Sequence, residues 1–107
     1  MTINNLVTYT GTGAQAPIML NRHAPSNYSV RLDFDTTGDV DVQGTLSQLN
    51  RGDAEDWFDI TGLTGITADS AEKIVDTPLE AIRFVINANG STINGRVMQS
   101  SYSVVVD

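Results

Sequence analysis

Apolar and polar side chains alternate with a period of two along much of this chain. Tyr28, Val30, Leu32 and Phe34 alternate with Ser29, Arg31 and Asp33, and Val40, Val42, Gly44 and Leu46 alternate with Asp39, Asp41, Gln43 and Thr45. Successive side chains of a strand point to opposite faces, so each run predicts a strand with one buried face and one wet face. Thr36-Thr37-Gly38 between them supplies a turn, and an antiparallel hairpin is expected there. Further on, Ala81 to Ala88 places Ile82, Phe84 and Ile86 on one face. Asn89-Gly90 follows, the pair that best tolerates positive φ at both centres of a type I′ turn, and Thr92 to Gln99 runs back, so a second hairpin is expected. Gly95 in mid-strand predicts a bulge or a close approach by another backbone. Shorter runs at Asn5 to Tyr9, Pro17 to Leu20 and Trp57 to Ile60, and a last one through Tyr102, Val104 and Val106, complete the set.

Helical spacing is scarce. Asp69 to Val75, with Asp69 or Ser70 as a cap and Pro78 as a stop, predicts one or two turns of helix. Roughly seven or eight strands with turn signals every ~8–12 residues predict an all-β fold, an antiparallel β-sandwich that is jelly-roll-like or Ig-like. Residues 17–107 are expected to form the sandwich and residues 1–16 an N-terminal strand or extended arm, because Gly11 to Pro17 reads as a loop. The alternation names a core: Val30, Leu32, Phe34, Val40, Val42, Leu46, Phe58, Ile60, Ile82, Phe84, Ile86, Val97 and Val104.

Charge narrows the partners. The 107 residues carry 13 Asp and Glu against 6 Lys and Arg, a formal charge of −7. Such a surface repels nucleic acid and anionic lipid, so neither is expected as a partner. There is no cysteine, which excludes disulfides and thiolate metal sites. No run approaches the ~20 apolar residues of a membrane helix, and the first residues show no basic export signal.

Candidate chemistry is sparse. His23, the one histidine, lies in the irregular stretch Asn21 to Asn27 without a nucleophile elbow, so it reads as a loop or interface residue. Asp33 and Asp35, like Asp39 and Asp41, are two apart, so the members of each pair share a strand face. Pairing of 28–34 with 40–46 would gather all four carboxylates at one hairpin end, where a calcium ion would relieve their repulsion. The plainer reading is a solvated acidic face, and no metal or other cofactor is expected. Arg51-Gly52-Asp53 spells an integrin-binding tripeptide, but short words of this kind arise by chance, and here it reads as a turn before Trp57. Trp57 and Phe58 face opposite sides of a strand. Phe58 shares its face with Ile60 and is expected in the core, which leaves Trp57 partly exposed, either folded over the sandwich edge or free as an anchor. Trp57, His23 and Arg22 are the candidate partner-binding residues. No catalytic residue is assigned and an enzyme is not expected.

The order of these features resembles a known group. A strand at Tyr28 to Phe34 leads into Val40 to Leu46; Asp56-Trp57-Phe58-Asp59-Ile60 follows, with Thr61-Gly62-Leu63-Thr64-Gly65; Thr77-Pro78-Leu79-Glu80 then leads into Ala81 to Ile86 and Asn89-Gly90. Over residues 28–99 this looks like the small β-sandwich virion structural proteins of tailed bacteriophages. The resemblance implies a non-enzymatic capsid decoration or cement protein, made in the host cytoplasm and carried in the virion. Its partner would be the major capsid protein or another virion protein, and it would form a homo-oligomer, a trimer or dimer. A tail, neck or head-fibre component is the alternative within that group. A carbohydrate-binding sandwich that uses Trp57 and a calcium ion near Asp33, Asp35, Asp39 and Asp41 is the alternative outside it.

Overall fold

The computed structural model describes residues 3–20, 28–52, 54–68, 73–75 and 79–99. Nine strands run through them: β1 Ile3–Tyr9, β2 Gly13–Ala14, β3 Ile18–Met19, β4 Tyr28–Phe34, β5 Gly38–Thr45, β6 Trp57–Asp59, β7 Lys73–Val75, β8 Ala81–Asn89 and β9 Ile93–Gln99. They form a four-stranded sheet in the order β1-β9-β4-β7 and a five-stranded sheet in the order β2-β8-β5-β6, with β3 also on β8. Every pairing is antiparallel. Folding the chain back on itself at the β5–β6 connection pairs β4 with β7, the short β2 and β3 with β8, and β1 with β9. This is the jelly-roll arrangement of an antiparallel sandwich.

The alternation decides what lies between the sheets. Val30, Leu32, Val40, Val42, Ile82, Phe84, Ile86 and Val97 are buried, as expected, and Phe34 and Ile60 pack half-buried against them. Tyr9, Ile18, Leu20, Tyr28, Leu63, Leu79 and Ile93 join the core as well. Two expected members do not. Leu46 lies just past the end of β5 and is 65% exposed, while Phe58 is 42% exposed on the terminal strand β6. Phe58 stands opposite Gly44, whose missing side chain faces inward, but β6 lies at the rim where burial runs out. Val104 and the strand expected at 102–106 lie outside the described residues.

Neither expected hairpin forms. β4 and β5 are consecutive but belong to different sheets, and so do β8 and β9. The links 35–37 and 90–92 are therefore arches that carry the chain from one sheet to the other. Gly90 has no positive φ, so Asn89-Gly90 is not a type I′ turn. The arches lie against each other: the Gly90 N–H donates to the Thr37 carbonyl at 2.8 Å and the Asp35 N–H to the Thr92 carbonyl at 3.0 Å. Period-two alternation states which face of a strand is buried. It does not state whether the next strand lies beside it or across the core from it.

Two smaller expectations also change. Gly95 sits in a regular ladder between β1 and β4, with no bulge. Its missing side chain admits a ring rather than a backbone, because a Cβ there would stand 2.8 Å from Phe84 Cε2. Lys73–Val75, expected to be helical, is strand β7 and pairs with Tyr28–Val30, while Asp69 to Glu72 lie outside the described residues. Of the two forms expected for the N-terminal segment, a strand or an extended arm, residues 3–9 take the strand. Residues 3–9 form a seven-residue ladder with β9, and Tyr9 is buried with its ring 5.8 Å from that of Phe84. The Asn89 side chain anchors the end of this strand by donating to the carbonyls of Tyr9 and Gly11.

Tyr28 is 3% exposed, and its hydroxyl has no hydrogen-bond partner among the described residues. Burial raises the pKa of Tyr28, and more mildly that of Tyr9. The neutral phenol is thus favoured in the folded state, while the unfolded phenol ionises near pH ~10. Between those two values the folded chain binds more protons, so stability is complete below pH ~10 and is lost as pH rises further. Tyr28→Phe removes an unsatisfied buried hydroxyl. It is expected to leave stability equal or up to ~1 kcal/mol higher at pH 7, and to flatten the alkaline loss. Urea titrations at neutral pH and above the phenol range test both. A clear loss at neutral pH would mean that the hydroxyl is satisfied.

Candidate functional site

The outer face of the five-stranded sheet carries the most organised surface among the described residues. Register builds it in rows. Met19, Ala81, Thr45 and Trp57 lie side by side across β3, β8, β5 and β6, and Arg83, Gln43 and Asp59 form the next row. By parity all of them belong to the outer face of the sheet, although Ala81 and Thr45 are fully buried there. Arg83 reaches across β5 and places its guanidinium 4.4 Å from the centre of the Trp57 ring. Its Nε donates to Gln43 Oε1 at 2.9 Å, and Gln43 Nε2 donates to Asp59 Oδ1 at 3.0 Å. The indole N–H donates to Glu55 Oε1 at 2.9 Å. Beneath, Thr45 is fully buried and donates its hydroxyl to the Asp56 carbonyl at 2.7 Å.

Trp57 is therefore half-buried and laid against the sheet, with one ring face covered by a cation. A cation–π contact at such a site is worth about 0.5–1 kcal/mol. A sugar ring stacking on that face would first have to displace Arg83. The alternation already placed Arg83 and Gln43 on polar faces, but only the β8–β5–β6 register brings them to Trp57.

Around the rim from Trp57 lies an open depression of about 390 Å³, lined by Leu46 and Phe58 together with the polar Ser47 and Asp56. Among the described residues five large hydrophobic side chains are exposed, and two of them, Leu46 and Phe58, adjoin here. Both were expected in the core, and that expectation concealed the patch.

The four carboxylates do not gather. Asp33 is on the outer face of the four-stranded sheet, where it pairs with Arg31 at 3.2 Å, and Asp35 is exposed in the first arch. Asp41 is on the opposite side of the sandwich, accepting from the Gly65 N–H at 2.7 Å and from Asn87 Nδ2 at 3.0 Å. Asp39 lies half-buried beside the step where β8 carries an extra residue, Asn87. The separation follows from the arch: β4 and β5 would share a face only as a hairpin. Among the described residues no group of three or more acidic or histidine side chains is placed to hold a metal ion. Arg22, His23 and Asp53 lie outside the described residues. Arg51 ends a short 3-10 turn, Leu49–Arg51, closed by Gly52 at φ 82°. No helix among the described residues is long and apolar enough to cross a membrane.

The class defined by the fold is an antiparallel β-sandwich with jelly-roll order. No family model, curated protein or solved structure matches the chain.

Proposed function

We propose that the chain is a non-enzymatic assembly module, a capsid decoration protein that binds the major capsid protein and stabilises a bacteriophage head. The observation that carries this reading is the exposed pair of large apolar side chains, Leu46 and Phe58, which line one depression beside Trp57. Large apolar side chains clustered on a surface, rimmed by polar groups, mark interaction sites. Here a buried Thr45 and the Arg83–Gln43–Asp59 chain hold the neighbouring strands firmly, so the patch is presented with little ordering cost on binding. Jelly rolls serve viral capsids, lectins and cupins alike, so the sandwich itself does not choose among them. A repeating lattice suits a modest patch, because many equivalent sites add avidity.

Purified protein added to undecorated heads is expected to bind and to raise their melting temperature, and Phe58→Asp is expected to abolish both while remaining folded. Wild-type protein that neither binds heads nor occurs in virions would overturn the reading. Copy number separates posts within the virion: on the order of hundreds of copies means decoration, about a dozen or fewer a tail or neck component.

A further inference from the structure

We infer that β1 is the contact through which two copies of this chain pair, antiparallel and about a two-fold axis. A sheet edge presents a row of unpaired backbone donors and acceptors, and natural proteins blunt such edges with short strands, charges, prolines or bulges. Three of the four edges here are blunted. β7 is three residues long and includes Lys73. β6 is also three residues, ends in Asp59 and follows Glu55-Asp56. Beyond it, the segment through Leu63 and Ile66 covers the edge of β5, exchanging bonds with Val40 and Val42. β2 and β3 are two residues each, separated by a stretch that includes Pro17.

β1 has none of these devices. It is seven residues long, pairs in unbroken register with β9 on one side, and among the described residues ends the sheet on the other. Its sequence, Ile3-Asn4-Asn5-Leu6-Val7-Thr8-Tyr9, contains no acidic, basic or proline residue. Leu6, at its midpoint, is 55% exposed on the outer face.

A second copy fits this edge better than a strand of another kind. Each copy carries −7, so two copies repel except where charge is absent, and residues 3–20 hold no acidic or basic side chain. An antiparallel pairing centred on Leu6 places Leu6 against Leu6, Asn5 against Val7 and Asn4 against Thr8. Leu6 meets its own copy on the axis and each of the other contacts is made twice, as two-fold symmetry requires. The nearest cation in that row is Arg96, directly beside Leu6 on β9. In the pair the two Arg96 positions stand three strand spacings apart, about 14 Å. That exceeds the ~8 Å screening length at physiological salt. The two four-stranded sheets would join as one continuous sheet. This inference holds whether or not a capsid is the partner.

Sedimentation and chemical cross-linking test it. Wild-type protein is expected to be a dimer at ~100 µM and to dissociate on dilution. Leu6→Lys sets two ammonium groups face to face and is expected to give a monomer with an unchanged circular dichroism spectrum. Phe58→Asp should remain dimeric, which separates this edge from the capsid-binding reading. Because the chain lacks cysteine, Leu6→Cys should form a disulfide-linked dimer on mild oxidation, and Leu46→Cys should not. A monomer at ~1 mM would overturn the inference. So would loss of the dimer in Phe58→Asp with its survival in Leu6→Lys. Slow amide exchange along β1 in a monomer would also overturn it, since the edge would then be covered within one chain.

Discussion

Gly95→Ala is expected to destabilise the fold by about 1–3 kcal/mol, although it adds a single methyl group. Glycine in a strand interior is normally a weakness that alanine improves. Here the added carbon would stand 2.8 and 3.1 Å from two atoms of the Phe84 ring and 3.1 Å from the Tyr9 ring. Phe84 is fully buried and is the largest such side chain among the described residues, so its ring has nowhere to retreat. Phe84→Ala is itself expected to cost about 3–5 kcal/mol, enough to unfold a marginally stable domain. The informative experiment is a cycle of Gly95→Ala with Phe84→Leu. The smaller side chain should make room for the methyl group, giving a coupling of about 0.5–3 kcal/mol in favour of the double variant. Additive losses in urea denaturation would mean that the glycine and the ring do not share one space.

The second large effect is expected at the arches. An alanine Cβ at Gly90 would fall 2.5 Å from the hydroxyls of both Thr36 and Thr37 and 3.2 Å from the Thr37 amide nitrogen. Relieving this overlap pushes the two arches apart and strains the bond from the Gly90 N–H to the Thr37 carbonyl. Gly90→Ala should therefore cost about 1–3 kcal/mol, each kcal/mol being worth roughly 4–8 °C in melting temperature. Gly11→Ala is the control: nothing lies within 4 Å of its Cβ position and its φ is not positive, so its effect should stay within about ±0.5 kcal/mol. Equal melting temperatures for the two variants would show that the arches do not depend on their mutual contact.

The same arches mark where the sequence stopped being legible. The buried face of β4, β5, β8 and β9 was readable because seven to nine alternating residues leave little ambiguity. Partner choice was not, because three-residue links such as 35–37 and 90–92 serve an arch as well as a hairpin. Asn89-Gly90 carries a strong hairpin signal, yet Asn89 uses its amide to hold β1 in place. Strands of two or three residues, such as β2, β3 and β7, are too short to show any period; they exist because a longer partner offers them bonds. Phe58 shows the limit in its plainest form. Its position in the alternation was read correctly as inward, but whether inward means buried depends on how far the opposite sheet extends. The candidate surface was legible to the same degree. Trp57 stood out as the one large aromatic of uncertain face, while Arg83, Gln43 and Leu46 acquired their roles only through register and the sandwich rim.

The pairing of β1 with β9 has a consequence for biosynthesis. Ile3 meets Gln99, so the first strand has no partner until the last described strand has been made. At ~5–20 residues per second the wait lasts on the order of 5–20 s, during which an uncharged, partly apolar segment is available to any neighbouring nascent chain. On densely loaded polysomes, the segment inferred above to pair two mature copies is also the one most exposed to premature capture. Chaperone engagement of the early chain, and its release once Gln99 has emerged, would be the cellular signature of this topology.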